Sequence, residues 1–354
     1  MDNKIILFNL TPTMINTQNK ISERLVLIAG SHKNAVARIS DILHVAKTTA
    51  YKKLNGESSF SIEELAILMK DFEFSFDEMI FEKRKKIGFQ FPFKTRKIKS
   101  FHDYVIPLKM FMAIAAPLPD LKIHYATNEL PFFFYFLDKD LTYFKFYIYA
   151  QTVWDLPGYN SKKFNLEDFT EWYVIKNDID FIISKYYSIP NIELWNEGVL
   201  NNTLNQIKYF LTAGFFNDPQ DAFYLCDRLD LMIDHVNKMA ESGKKILVGQ
   251  DPESIDTEFL MYHNEISHTN NILLIQSEAL NQIYFAYDNP NYIVTDNQDL
   301  IDYTEEWFAK IKKNALPISK DSHKNRRTFF NIIKKQIQNT RNDIQYIIDK
   351  YYKI

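Results

Sequence analysis

The sequence predicts a mainly α chain with an N-terminal helix-turn-helix bundle, a central helical array and a small C-terminal α+β part with antiparallel strands. Three observations predict it. Apolar residues recur at threes and fours over most of the chain. Only 8 glycines stand among 354 residues, against 29 Phe and 21 Tyr, which disfavours phosphate-cradling loops and favours helix. Past Lys245 the texture changes to short β-branched or aromatic runs bounded by Asp, Asn and Pro. A hydrophobic share of 46% and a charged share of 25% are those of a globular protein, and the length allows two or three domains. The expected boundaries are 1–82 for a helix-turn-helix domain, 83–100 for a basic linker, 101–245 for a helical domain and 246–354 for an α+β sensing or dimerisation domain.

The chain opens with KIILFNL, an edge strand or a loosely held arm. From Lys20 the run ISERLVLIAG places Ile21, Leu25 and Ile28 on one helical face, and Gly30-Ser31 ends it. Asn34 is the expected N-cap of a helix over about 35–43 that buries Val36, Ile39, Ile42 and Leu43. The break His44-Val45-Ala46 is too short for a free loop, so Val45 is expected to turn inward. A short helix, Lys47 to Leu54, follows, with Ala50 and Leu54 facing the core. That leaves Lys47, Thr48, Thr49, Tyr51 and Lys52 facing outward. Short hydroxyls, ammonium groups and a phenol suit base edges and phosphates: Thr can bond either, Lys binds phosphate or guanine, and a Tyr hydroxyl positions on the backbone. A solvated helix face is the bland alternative. A third apolar helix runs from Ser61 to Met69.

Helix, tight turn, and a small polar-basic helix between two apolar ones is the layout that presents a helix to the major groove. The residues ISDILHVAKTTAYKKLNGE, followed by FSIEELAILMKDFEFSFDEM, resemble the repressor-type, XRE-like helix-turn-helix family, closest to its BetR-like branch. The resemblance covers about residues 20–82. His44 stands where the family's turn usually has Gly. Ala46 replaces the usual Ser cap, which leaves Thr48 or a phosphate to satisfy the first amides. The resemblance implies sequence-specific binding of double-stranded DNA, usually as a homodimer on half-sites one turn apart. The expected DNA-contacting set is Lys47, Thr48, Thr49, Tyr51, Lys52 and Asn55, with Lys33 and Asn34.

The charge distribution points the same way. The net charge is −3, yet residues 1–100 carry 17 Lys+Arg against 11 Asp+Glu, and the remainder 25 against 34. A basic module on an acidic body is what a polyanion binder looks like. Glu82 to Lys99 adds eight basic residues against one acid. It reads either as a phosphate-tracking linker or as a solvated tether.

From Phe101 to Lys245 the apolar spacing is helical, with turn signals at Pro117-Leu-Pro119, Pro157-Gly158, Pro190-Asn191 and Asn217-Asp-Pro219. The aromatic helix over 132–154 is apolar on most sides and is expected at the centre. No fixed-period repeat stands out. KILVG, EFLMYHNEIS, NNILLIQ and QIYFAYDN read as antiparallel strands, YIVTDNQDLIDYTEEWFAKIKKNA as helix, and Lys324 to Tyr352 as a final long helix. This body is left open to a small-molecule or protein effector, or to oligomerisation alone.

No Gly-rich phosphate loop and no nucleophile elbow occurs. His263 and His268 would sit on opposite faces of a strand, so a metal site with Glu265 is the weaker reading. Cys226, the single cysteine, excludes an internal disulfide and reads as a buried structural thiol. No enzyme activity, cofactor or metal is therefore expected. An enzyme carrying a DNA-targeting module and an interaction scaffold are the rival readings. LPFFFYFL is too short to span a bilayer and no signal peptide is evident, which makes the cytoplasm the expected compartment.

Overall fold

The structure is a computed structural model that describes residues 17–76, 87–91, 98–249, 256–266, 270–288 and 290–352. The chain divides into two compact units, Met1–Ile87 and Gly88–Ile354.

In the first unit four helices are described: α1 (Thr17–Ala29), α2 (His32–Leu43), α3 (Lys47–Leu54) and α4 (Ile62–Asp71). Ile21, Leu25, Ala35, Ile39, Ala50, Leu54, Phe60 and Leu68 form its buried core, as the apolar spacing requires. The cap of α2 corrects the sequence reading. Ser31, not Asn34, is the N-cap; its hydroxyl accepts the Asn34 amide at 3.2 Å, so the helix starts at His32. Ser is as good a cap as Asn, and the extended backbone at Ser31 decides between them. Ser61 and Glu64 close a reciprocal capping box on α4.

The second unit is built on a seven-stranded mixed sheet. Its elements are α5 (Phe101–Ala115), β1 (Lys122–Thr127), α6 (Phe132–Tyr135), α7 (Lys139–Thr152), α8 (Trp172–Tyr187), β2 (Asn191–Trp195), α9 (Asn201–Thr212) and α10 (Asp221–Ser242). There follow β3 (Phe259–His263), β4 (Ile272–Gln276), β5 (Asn281–Asp288), β6 (Asn291–Thr295), α11 (Gln298–Asn314), β7 (Leu316–Pro317) and α12 (His323–Tyr351). The strand order is β6-β5-β4-β1-β2-β3-β7. β1, β2 and β3 are parallel and are joined by helical crossovers, while β4, β5 and β6 form an antiparallel meander. One face carries the large aromatic core under α5–α10 and α12, and the other carries a smaller core under α11 with Ile301 and Phe308.

Helices account for 57% of the described residues, but the expected division of the body does not hold. The sheet is not a small antiparallel annex: β1 and β2, which lie inside the expected helical domain, pair with β3 and β4 from beyond residue 246. A boundary at 245 would cut one core in two. β1 and β2 escaped the reading because they are short and carry polar residues. Asn191 and Glu193 alternate along β2 yet face the helical core rather than water. YIVT begins as β6, not helix, and KILVG forms no strand; only Lys244, just before it, bridges to Glu258. The aromatic run at 132–154 breaks into α6 and α7 where the Asp138 carboxylate caps α7 through Leu141 N at 2.9 Å. Every residue of α7 from Leu141 to Ala150 is buried, so its central place stands.

The linker region is only partly a tether. Gln90 pairs with Val294 along the outer edge of β6, at 2.7 and 2.9 Å, and Thr295 Oγ1 donates to the Gly88 carbonyl. Lys83–Lys86, Lys94, Arg96 and Lys97 lie outside the described residues.

Candidate nucleic-acid interface and ligand cavity

The turn between α2 and α3 forms without glycine. His44 adopts a left-handed conformation, φ 51°, ψ 41°, and its amide and that of Val45 both return to the Ser40 carbonyl. Histidine is among the non-glycine residues that enter this region more readily. The Ser40 hydroxyl then donates to the Val45 carbonyl at 2.7 Å and locks the turn. Val45 is half-buried against the core.

With Ala50 and Leu54 buried, α3 leaves Lys47, Thr48, Tyr51 and Lys52 exposed, while Thr49 is half-buried. Lys53 turns away: its ammonium bonds Glu64 and the Ser59 carbonyl, both at 2.8 Å, tying α3 to α4. Ala46 offers no side-chain cap to α3. Lys33 and Asn34 are exposed at the start of α2, and the Asn34 amide reaches the Ala29 carbonyl. Asn55 Oδ1 meets His32 Nε2 at 2.9 Å, and the His32 ring stands edge-on to Tyr51 at 5.4 Å. The eight expected residues thus lie outside the core of one small bundle, seven of them exposed and Thr49 half-buried.

In the second unit, a cavity of about 280 Å³ lies between α5 and the sheet. Leu108, Phe111 and Met112 line it from α5, and Ile123, Leu273 and Ile275 from the sheet; four phenols, Tyr104, Tyr125, Tyr284 and Tyr292, also face it. Its size is at the low end for small-molecule sites. The Tyr125 and Tyr292 hydroxyls meet at 3.1 Å, and both rings also line a pocket of about 10 Å³, room for one water. That pocket is bounded by Glu129, Tyr135, Tyr149 and Lys145 as well.

Lys145 is 2% exposed. Its ammonium donates to Gln206 Oε1 at 2.8 Å and to Thr203 Oγ1 at 3.4 Å, and sits 5.2 and 5.4 Å from the Tyr135 and Tyr149 ring centres. Burial lowers its pKa to about 8, against an opposing pull from Glu129. Sequence reasoning missed this residue, because a lone Lys in an aromatic helix looks like a surface position.

A second polar feature also went unseen. Asn128-Glu129, Asn196-Glu197 and Asn264-Glu265 follow β1, β2 and β3 at equal sequence intervals. They stand side by side because Thr127, Trp195 and His263 are in register. They line a cleft of about 460 Å³ at the carboxyl ends of the parallel strands. Several are committed to the protein: Asn196 Oδ1 accepts the Gly198 amide, and Asn202 donates to Glu129. His263 is buried, with Nδ1 3.7 Å from Glu265, and His268 lies outside the described residues. No group of three His, Cys, Asp or Glu among the described residues is placed to hold a metal ion. Cys226 is buried in α10, and burial raises its thiol to about 12, so it is an inert core residue. No described helix is long and apolar enough to cross a membrane.

No protein-family model matches the chain, and no curated protein or solved structure matches it either.

Proposed function

We propose that the chain is a sequence-specific double-stranded DNA-binding transcriptional regulator that places α3 in the major groove. One observation carries this reading: α3 is a short helix anchored by Ala50 and Leu54, with an exposed face of Lys47, Thr48, Tyr51 and Lys52. Such a face supplies hydroxyl and ammonium donors to base edges and phosphates. The uncapped start of α3 suits a backbone phosphate. The resemblance to repressor-type helix-turn-helix domains supports the same role, with a homodimer reading two half-sites. The larger unit serves sensing or oligomerisation, and the protein acts in the cytoplasm.

The test is selection of duplexes from a random pool, followed by titration of the winning site. With each lost contact worth about 1–3 kcal/mol, Lys47→Ala, Thr48→Ala and Lys52→Ala together should weaken specific binding at least a hundredfold at moderate salt. Circular dichroism should stay unchanged. Unaltered affinity in the triple variant would show that α3 does not read the duplex.

A further inference from the structure

We propose that the cavity between α5 and the sheet is a binding site for a compact apolar carboxylic acid, its hydrocarbon body against Leu108, Ile123 and Ile275 and its carboxylate turned toward Tyr125, Tyr292 and Lys145. The body of the cavity is almost wholly apolar, so its occupant gains by burying hydrocarbon there. The polar end decides the head group. Two phenols sharing one hydrogen bond have one proton left to donate. Lys145 has three N–H bonds and two acceptors, both uncharged. Tyr284 is already committed, donating to Gln282 Oε1 at 2.7 Å. Spare donors therefore collect around Tyr125 and Tyr292, which line both the cavity and the small pocket that Lys145 borders. A buried ammonium with only neutral acceptors is costly unless an anion joins it. Glu129 is the one carboxylate on the small pocket; it is half-exposed and holds the Asn202 amide. An amine head would meet the like charge of Lys145, and an alcohol would leave that charge unanswered.

This site extends the sensing role proposed for the second unit but needs no DNA to be tested. Isothermal titration of the full chain at pH 7, without duplex, compares decanoate and naphthoate with the alcohols and amines of the same skeletons. At least one carboxylate should bind tenfold or more tightly than its alcohol and amine. Lys145→Met should erase that preference while leaving the alcohol within about twofold. Ile275→Trp, which fills the cavity, should abolish binding of all probes. The proposal is overturned if neither carboxylate binds, if the alcohol or amine binds as well in the native chain, or if the preference survives Lys145→Met. The comparison among probes on the native protein stands even where a variant fails to fold. Failure here would leave the DNA reading untouched, and loss of DNA binding by α3 variants would leave this site untouched.

Discussion

Two lysines are buried among the aromatic rings of the second unit, and they are solved differently. Lys245, 1% exposed, bonds the Tyr186 carbonyl and Asn191 Oδ1 and lies 3.8 Å from the centre of the Tyr186 ring. Its counter-charge is one amide away. Asn191 Nδ2 donates to Glu193 at 3.0 Å, and that carboxylate also accepts from Tyr186 at 2.8 Å and Trp195 at 2.7 Å. Burial raises the Glu193 pKa and lowers that of Lys245, while their mutual attraction opposes both shifts. Lys245 too has two uncharged acceptors for three N–H bonds, but a carboxylate stands one amide beyond them and the Tyr186 ring lies against the ammonium. Lys145 has neutral acceptors, no carboxylate in hydrogen bond, and space beside it. The contrast separates two uses of a buried charge. A closed network fixes the β2–α8 packing, whereas an open one waits for a proton to leave or an anion to arrive.

The sharpest way to break the comparison is Lys245→Met. It strands a fully buried carboxylate among three donors with no positive charge, and removing one partner of a buried pair costs about 3–5 kcal/mol. Urea unfolding should show a loss of that size. A loss under about 1 kcal/mol would mean that the Glu193 network does not depend on the ammonium.

The next largest effect is in the pH profile. Lys145 titrates near 8 in the folded chain against 10.5 for a free lysine. Between those values the unfolded chain binds the extra proton, so this residue makes stability rise with pH. Its penalty is complete below pH 8 and fades toward 10.5. Comparison with Lys145→Met removes the contribution of the surrounding phenols, which burial raises above their usual value. From pH 7 to 10 the native chain should gain roughly 2–3 kcal/mol relative to the variant. Carboxylate preference at the cavity should fall over the same range. A flat difference between the two profiles would show that Lys145 is already neutral at pH 7.

What could be read from the sequence follows the same division. The first unit was legible because its information is local: apolar spacing gives Ile39, Ala50 and Leu54, and a break of three residues implies the turn. Even so, the cap moved to Ser31, since two good cap residues stand three apart and only the backbone chooses between them. The sheet was half legible. β4 and β5 alternate or cluster in the usual way, but β2 hides as Asn-Ile-Glu-Leu-Trp because its polar residues face a core that satisfies them. The Lys145 site was not legible at all. Its meaning depends on Tyr125, Tyr292, Thr203 and Gln206, which come from three elements that no local pattern brings together.

The smallest expected effect is the most discriminating. Lys145→Met at pH 7 swaps a buried ammonium for an apolar chain of similar length. It forfeits the bonds to Gln206 and Thr203, but the Thr203 hydroxyl keeps Tyr135 at 2.5 Å. Gln206 is only half-buried, so water can replace its partner. A neutral hydrogen bond is worth about 0.5–1.5 kcal/mol net, and relief from burying the charge offsets it. Thermal and urea unfolding should therefore move by no more than about 1 kcal/mol, in either direction. If Lys145→Met instead costs as much as Lys245→Met, the two lysines are the same kind of structural post. The cavity beside Lys145 would then have no claim on an anion.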